Sequence, residues 1–83
     1  MTKSGSRKNY EIVGGLLARA RRAKRMSQTR LGEKLGRQQG YISRCEVGDQ
    51  GVNLVELHEY CRVLGISLQD FVKRFERAMR RKK

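Results

Sequence analysis

From residue 10 to residue 79 the apolar residues recur at helical spacing, and glycines cut that pattern into short runs. No other feature of the chain restricts its fold as much. Ile12, Leu16, Leu17, Ala20 and Ala23 form one stripe, with Arg19, Arg22, Lys24 and Arg25 on the opposite side. Ser27 is a natural N-cap for a run carrying Leu31 and Leu35, and Gly36 suits the left-handed turn that would end it. Ile42 and Cys45 anchor a third run closing near Val47 and Gly48. Asn53, with Glu56 three residues on, is a capping pattern ahead of Leu54, Leu57, Tyr60, Cys61 and Leu64, which Gly65 stops. Ser67 and Asp70 repeat the device before Leu68, Phe71, Val72, Phe75 and Met79. With no proline and no alternating strand pattern, the sequence predicts an all-α, compact five-helix domain over residues 10–79. Gly14 and Gly15 each weaken the first helix by up to ~1 kcal/mol relative to Ala and leave its start open. Residues 1–9, polar, basic and rich in Gly and Ser, read as a flexible arm. Residues 80–83 read as a basic tail, idle or resting on backbone phosphate.

Composition narrows the partner. Eighty-three residues amount to one domain, and 20 Lys and Arg against 8 Asp and Glu give a net charge of +12. A surface that repels itself this strongly is best tolerated against a polyanion. No apolar run approaches the ~20 residues of a membrane span, and no signal-peptide core is evident, so the expected location is the reducing cytoplasm of a bacterial or phage-type system. Cys45 and Cys61 are too few for a disulfide framework or a zinc site and occupy apolar helical positions, as core residues do. His58 stands alone on a solvated face, and Tyr60 belongs to the apolar one. No nucleophile–base set, metal cluster or phosphate loop is present; neither an enzyme nor a cofactor is expected.

Gln28 to Gly48 is the informative stretch. Two short helices meeting steeply through a tight turn need a tiny residue at their crossing, which Gly32 supplies. They also need flanking apolar residues (Leu31, Leu35), a turn residue tolerating positive φ (Gly36), and a branched anchor on the second helix (Ile42, followed by Cys45). The small residue stands four before the turn glycine and the anchor six after it. With Ser27-Gln28, Leu35-Gly36, Tyr41-Ile42-Ser43-Arg44-Cys45-Glu46, Gly48, Leu54, Leu57 and Leu64-Gly65-Ile66-Ser67, the chain from about Leu17 to Phe71 resembles the helix-turn-helix family of phage repressors, Cro and the xenobiotic-response-element regulators. It departs from that family at Gly32, where Ala is usual, at Gly40 inside the second helix, and in the missing proline after Gly48.

The resemblance implies a lambda-repressor-like fold whose helix-turn-helix spans 28–47. Helix 38–46 would then lie in the major groove of double-stranded DNA. Gln38, Gln39, Gly40, Tyr41 and Arg44 would form the base-reading surface: glutamine can bond adenine N6 and N7, and arginine guanine O6 and N7. For Arg44, base and phosphate stand about even. Gln28 resembles the family's glutamine that binds phosphate and braces a reading side chain, and Arg37 and Ser43 are expected at phosphates. Arg21 and Glu46 match the positions at which, in the family, an arginine of the first helix pairs with the glutamate before the terminal glycine of the reading helix, a pair that would also hold a phosphate contact. A homodimer on a two-fold symmetric operator is expected, with Phe75 and Met79 either at the dimer contact or inside the monomer. With the chain used up by one domain, regulation would come through concentration, dimerisation or a partner. The rival readings are an antitoxin that masks a toxin while binding its own operator, and a non-specific or RNA-binding basic protein.

Overall fold

The structure, a computed structural model, describes residues 3–81, with side-chain surroundings from residue 7 onward. Five α-helices follow one another: α1 Lys3–Ala23, α2 Gln28–Leu35, α3 Gln39–Val47, α4 Leu54–Leu64 and α5 Leu68–Arg81. Among the described residues there is no strand.

The helix boundaries sit where local chemistry puts them. The Ser27 hydroxyl accepts from the Arg30 amide at 3.0 Å, and the Ser67 hydroxyl from the Asp70 amide at 2.9 Å. Asn53 and Glu56 form a complete capping box, satisfying two amides that the first turn of α4 would otherwise leave free. Gly36, Gly48 and Gly65 close α2, α3 and α4 in the left-handed conformation, at φ 70°, 89° and 74°. A side chain at any of the three would be strained.

All five helices contribute to one core: Leu17 and Ala20 from α1, Leu31 from α2, Ile42 from α3, Tyr60, Cys61 and Leu64 from α4, and Phe71 from α5. Each large apolar side chain among these contributes about 1.5–3 kcal/mol of burial. α1 is the central support, packing against α3, α4 and α5, while α2 packs on α3 and α4. Of the stripe expected on α1, Leu17 and Ala20 are buried, Ile12 and Leu16 half-buried, and Ala23 exposed. Tyr60, Cys45 and Cys61 are core residues and His58 is exposed, as their positions implied.

The first helix begins earlier than its apolar period does. Where a flexible arm was expected over residues 1–9, α1 is already helical from Lys3. Its early turns have partners. Arg7 bonds Glu11 one turn on at 3.1 Å and also pairs with Asp49 beyond the end of α3. Gly48 lies directly against Glu11: a Cβ there would stand 2.7 Å from Glu11 Cγ and 3.0 Å from its Cα. The Tyr10 ring covers Gly51. These ion pairs are exposed and screened by solvent, so they add little. The close backbone packing at Gly48 is the larger support for the extension. At the other end α5 carries Arg80 and Arg81 in its last turn; residues 1–2 and 82–83, the extremes of the expected arm and tail, lie outside the described residues.

Candidate nucleic-acid interface

α2 and α3 form the expected helix-turn-helix, and a three-residue turn, Gly36–Gln38, joins them. Gly36 turns the chain through its positive φ, and the Arg37 amide donates back to the Gly32 carbonyl at 2.8 Å. Gly32 has a different neighbour from the one its spacing suggested. A Cβ there would meet the Arg37 carbonyl oxygen at 2.5 Å, so the residue is small to admit the backbone of the turn rather than a crossing helix. The tight crossing lies elsewhere. A Cβ at Gly14 would fall 2.3 Å from the Cys45 carbonyl oxygen and 2.6 Å from that of Glu46, so α1 and α3 touch backbone to backbone.

On α3 the core side is set by Ile42, Cys45 and Glu46. At about 100° per residue, Gly40, Arg44 and Val47 fall on the side opposite Ile42, with Ser43 beside them. Arg44 is exposed, Ser43 half-buried, and the space over Gly40 holds only the Arg44 guanidinium, 3.5 Å from a notional Cβ. Val47, 52% exposed, completes this outward surface, and a helical wheel of the sequence would have found it. Gln38 is the N-cap residue of α3, exposed and making no side-chain cap bond.

The Arg21–Glu46 pair joins α1 to α3 below this surface. The side chains are 11% and 4% exposed. Arg21 donates from Nε to Glu46 Oε2 at 2.7 Å, from Nη2 to Oε1 at 3.1 Å, and from Nη1 to the Met26 carbonyl at 2.6 Å. This bidentate geometry is the strong form of such a pair. With its guanidinium shared between a carboxylate and a backbone carbonyl, Arg21 ties α1 to α3 and to the segment just before α2.

Gln28 Nε2 donates to Glu46 Oε1 at 2.9 Å, and Gln39 Nε2 donates to Gln28 Oε1 at 2.5 Å. A carboxylate only accepts, so Gln28 must turn its NH2 toward Glu46 and its oxygen toward Gln39. Gln39 is held in turn by one N–H. Its oxygen and its second N–H remain free at the exposed start of α3.

Tyr41 and Arg37 look sideways. The Tyr41 hydroxyl donates to Glu56 Oε1 at 3.0 Å, and Arg37 Nη2 bonds Glu56 Oε2 at 2.7 Å while its guanidinium lies 4.2 Å from the Tyr41 ring centroid. Burial, then the Glu56 carboxylate, raises the pKa of Tyr41. The tyrosine is therefore half-buried against α4, set apart from Gly40 and Arg44. Glu56, read from the sequence only as a cap, clamps both side chains as well. No local signal could have revealed a partner 19 residues from Arg37.

A family profile described as a helix-turn-helix domain matches residues 12–73, most of the chain. The chain belongs to the helix-turn-helix domain family. Family and fold are those of a DNA-binding transcription regulator. The helix-turn-helix protein is similar to the clp gene regulator ClgR of Corynebacterium glutamicum. One ClgR crystal structure is 27% identical, with a TM-score of 0.83, covering 89% of this chain and 79% of that one. A second is 28% identical, with a TM-score of 0.77, covering 82% of this chain and 87% of the other. No curated protein matches the chain at a significant level. Among the described residues no helix is long and apolar enough to cross a membrane, and no group of His, Cys, Asp or Glu could hold a metal ion.

Proposed function

We propose that this helix-turn-helix protein is a cytoplasmic, sequence-specific regulator that binds double-stranded DNA as a homodimer and represses transcription by occupying a two-fold symmetric operator. The observation carrying this reading is the exposed Gln39 amide at the start of α3, braced through Gln28 to the buried Arg21–Glu46 pair. Its free oxygen and free N–H match adenine N6 and N7 in the major groove. Arg44 lies one turn and a residue further along the same helix to read guanine or grip a phosphate. Gly40 leaves room between them for a thymine methyl or for close approach. Gln38, Ser43, Arg37 and Gln28 border the surface and are assigned to positioning on the backbone, with Arg37 steadied by Glu56. Tyr41 borders the same surface and supports Arg37 from beneath its guanidinium.

The homodimer is supported by α5. Phe75 and Met79 are half-buried without belonging to the residues packed on the main core, and Val72 on the same face is 43% exposed. These three form an apolar strip that a second copy would cover.

Selection of bound duplexes from a random pool tests the proposal. It should return an inverted repeat with half-sites about one helical turn (~34 Å) apart. Gln39→Ala and Arg44→Ala should each reduce the ratio of specific to random affinity, by about 1–3 kcal/mol for a lost bidentate contact. Failure to enrich any sequence, or an unchanged ratio in both variants, overturns the reading.

A further inference from the structure

α1 and α5 enclose a cleft of about 430 Å3 that the DNA-reading surface does not use. Arg19 of α1 and Arg74, Arg77 and Arg81 of α5 line it, over an apolar floor that includes Ile12 and Leu16. We infer that this cleft is a binding site for a small anion carrying two or more phosphate groups, either a free polyphosphate or the phosphate chain of a nucleoside polyphosphate.

The charge balance comes first. The sequence has 8 Asp and Glu residues, and all of them lie within the described part of the chain. The ion pairs among the described residues engage Glu11, Asp49, Glu46, Glu33, Glu56, Glu59 and Glu76, and none takes up any of the four cleft arginines. Glu11, which also lines the cleft, is already bonded by Arg7 at 3.1 Å. Four guanidinium groups therefore line one concavity against a single lining carboxylate, Glu11, and Asp70, one turn before Arg74 on α5, makes no ion pair with any of them. Guanidinium is the side chain best shaped for bidentate phosphate binding.

Space and position come next. Gly15 opens the cleft: a Cβ there would meet nothing within 4 Å. The volume lies in the range of small-molecule sites. On α1, Gly14 faces α3, and helical spacing sets Ile12, Gly15, Leu16 and Arg19 at 100–160° around from it. The cleft thus opens on the side of α1 turned from Gly14, and no residue of α2 or α3 lines it. A second copy seated symmetrically on this cleft is a poor occupant, since the two arginine sets would face one another.

Titration calorimetry of the full chain without DNA, at about 0.15 M salt, with tripolyphosphate and separately with ATP, tests this. One saturable site is expected. It should weaken roughly tenfold or more in Arg74→Gln/Arg77→Gln, which removes charge-assisted bonds. It should change less than about twofold in Arg30→Gln/Arg62→Gln, which removes equal charge from other faces. Gly15→Leu, which fills the cleft from an open helical position, should also abolish binding while keeping the fold. Equal affinity for the two ligands identifies free polyphosphate as sufficient, and tighter ATP binding identifies a nucleoside polyphosphate. Equal losses in both double variants, no effect of Gly15→Leu, or binding of an oligoglutamate peptide but neither phosphate ligand overturns the inference. None of these readouts depends on operator binding.

Discussion

Gly14 and Gly15 are neighbours in one helix, and the structure predicts opposite outcomes for the same substitution. Alanine gains about 0.8–1.0 kcal/mol over glycine in a helix interior, and at Gly15 nothing opposes that gain because its Cβ site is empty to 4 Å. Gly15→Ala should raise Tm by roughly 4–8 °C, the shift expected per kcal/mol for a domain of this size. At Gly14 the new methyl would sit 2.3 Å from the Cys45 carbonyl oxygen, and restoring even 3.0 Å requires α3 to retreat by at least 0.7 Å. The obstacle is backbone, so no rotamer change relieves it. Overpacking typically costs about 1–3 kcal/mol, and here the upper end or more applies. After the propensity gain, Gly14→Ala should lose about 2 kcal/mol net and roughly twice the Tm increment above. Thermal melts of the two single variants, paired with operator affinity, give the readout. Gly14→Ala should also weaken specific DNA binding, because α3 moves, whereas Gly15→Ala should leave it unchanged. A Gly14→Ala chain as stable as Gly15→Ala, with full affinity, would refute the backbone contact between α1 and α3.

Two further outcomes follow from the interior. Glu46→Leu alone leaves the Arg21 guanidinium buried without its carboxylate and should cost about 3–5 kcal/mol in urea unfolding, while Arg21→Met/Glu46→Leu should recover most of that stability; equal losses in the single and double variants would contradict the argument. Burial raises the thiol pKa of Cys45 and Cys61, so both should resist disulfide reagents at about pH 8 until urea unfolds the chain. Because the unfolded thiols ionise near pH 8.5 and the folded ones only above it, their stabilising contribution is complete below that value and declines as pH rises through it; a urea midpoint that climbed from pH 8 to 10 would reverse the sign.

Local chemistry was legible in the sequence, and distant chemistry was not. Ser27, Asn53, Gly36, Gly48 and Gly65 act through bonds and dihedrals within four residues of themselves, so their roles followed from spacing and the helix order followed from them. In the sequence Gly14 shows only as a weak point of its helix. A glycine's helix penalty is the same whether or not another backbone lies above it, and only the fold brings Cys45 there. The spacing of Gly32 marks it as a required small residue but does not carry its neighbour, because spacing gives proximity along the chain and not which backbone folds over it. Arg7 with Glu11 is an i, i+4 pair visible in the sequence, yet the support from Asp49 and Gly48 that extends α1 comes from the far end of α3. The resemblance implies Tyr41 among the base readers, and it carries no signal of the Glu56 carboxylate, 15 residues away, that takes the Tyr41 hydroxyl bond.

The placement of an ion pair beneath a reading surface has a physical reason apart from stability. A buried pair is often no better than apolar side chains of equal volume. What Glu46 provides that an apolar residue cannot is direction: it only accepts, so it orients the Gln28 amide, and Gln28 orients Gln39. Arg21 holds that carboxylate in place by two bonds while a third, to the Met26 carbonyl, ties it to the segment just before α2. Without this anchor either glutamine could present oxygen or NH2 outward at nearly equal cost, and a flipped Gln39 would no longer match adenine. The same double substitution that should preserve stability should therefore relax discrimination at the base facing Gln39. Loss of sequence preference in a chain that still folds and still binds random duplex is the result that separates an orienting pair from a stabilising one.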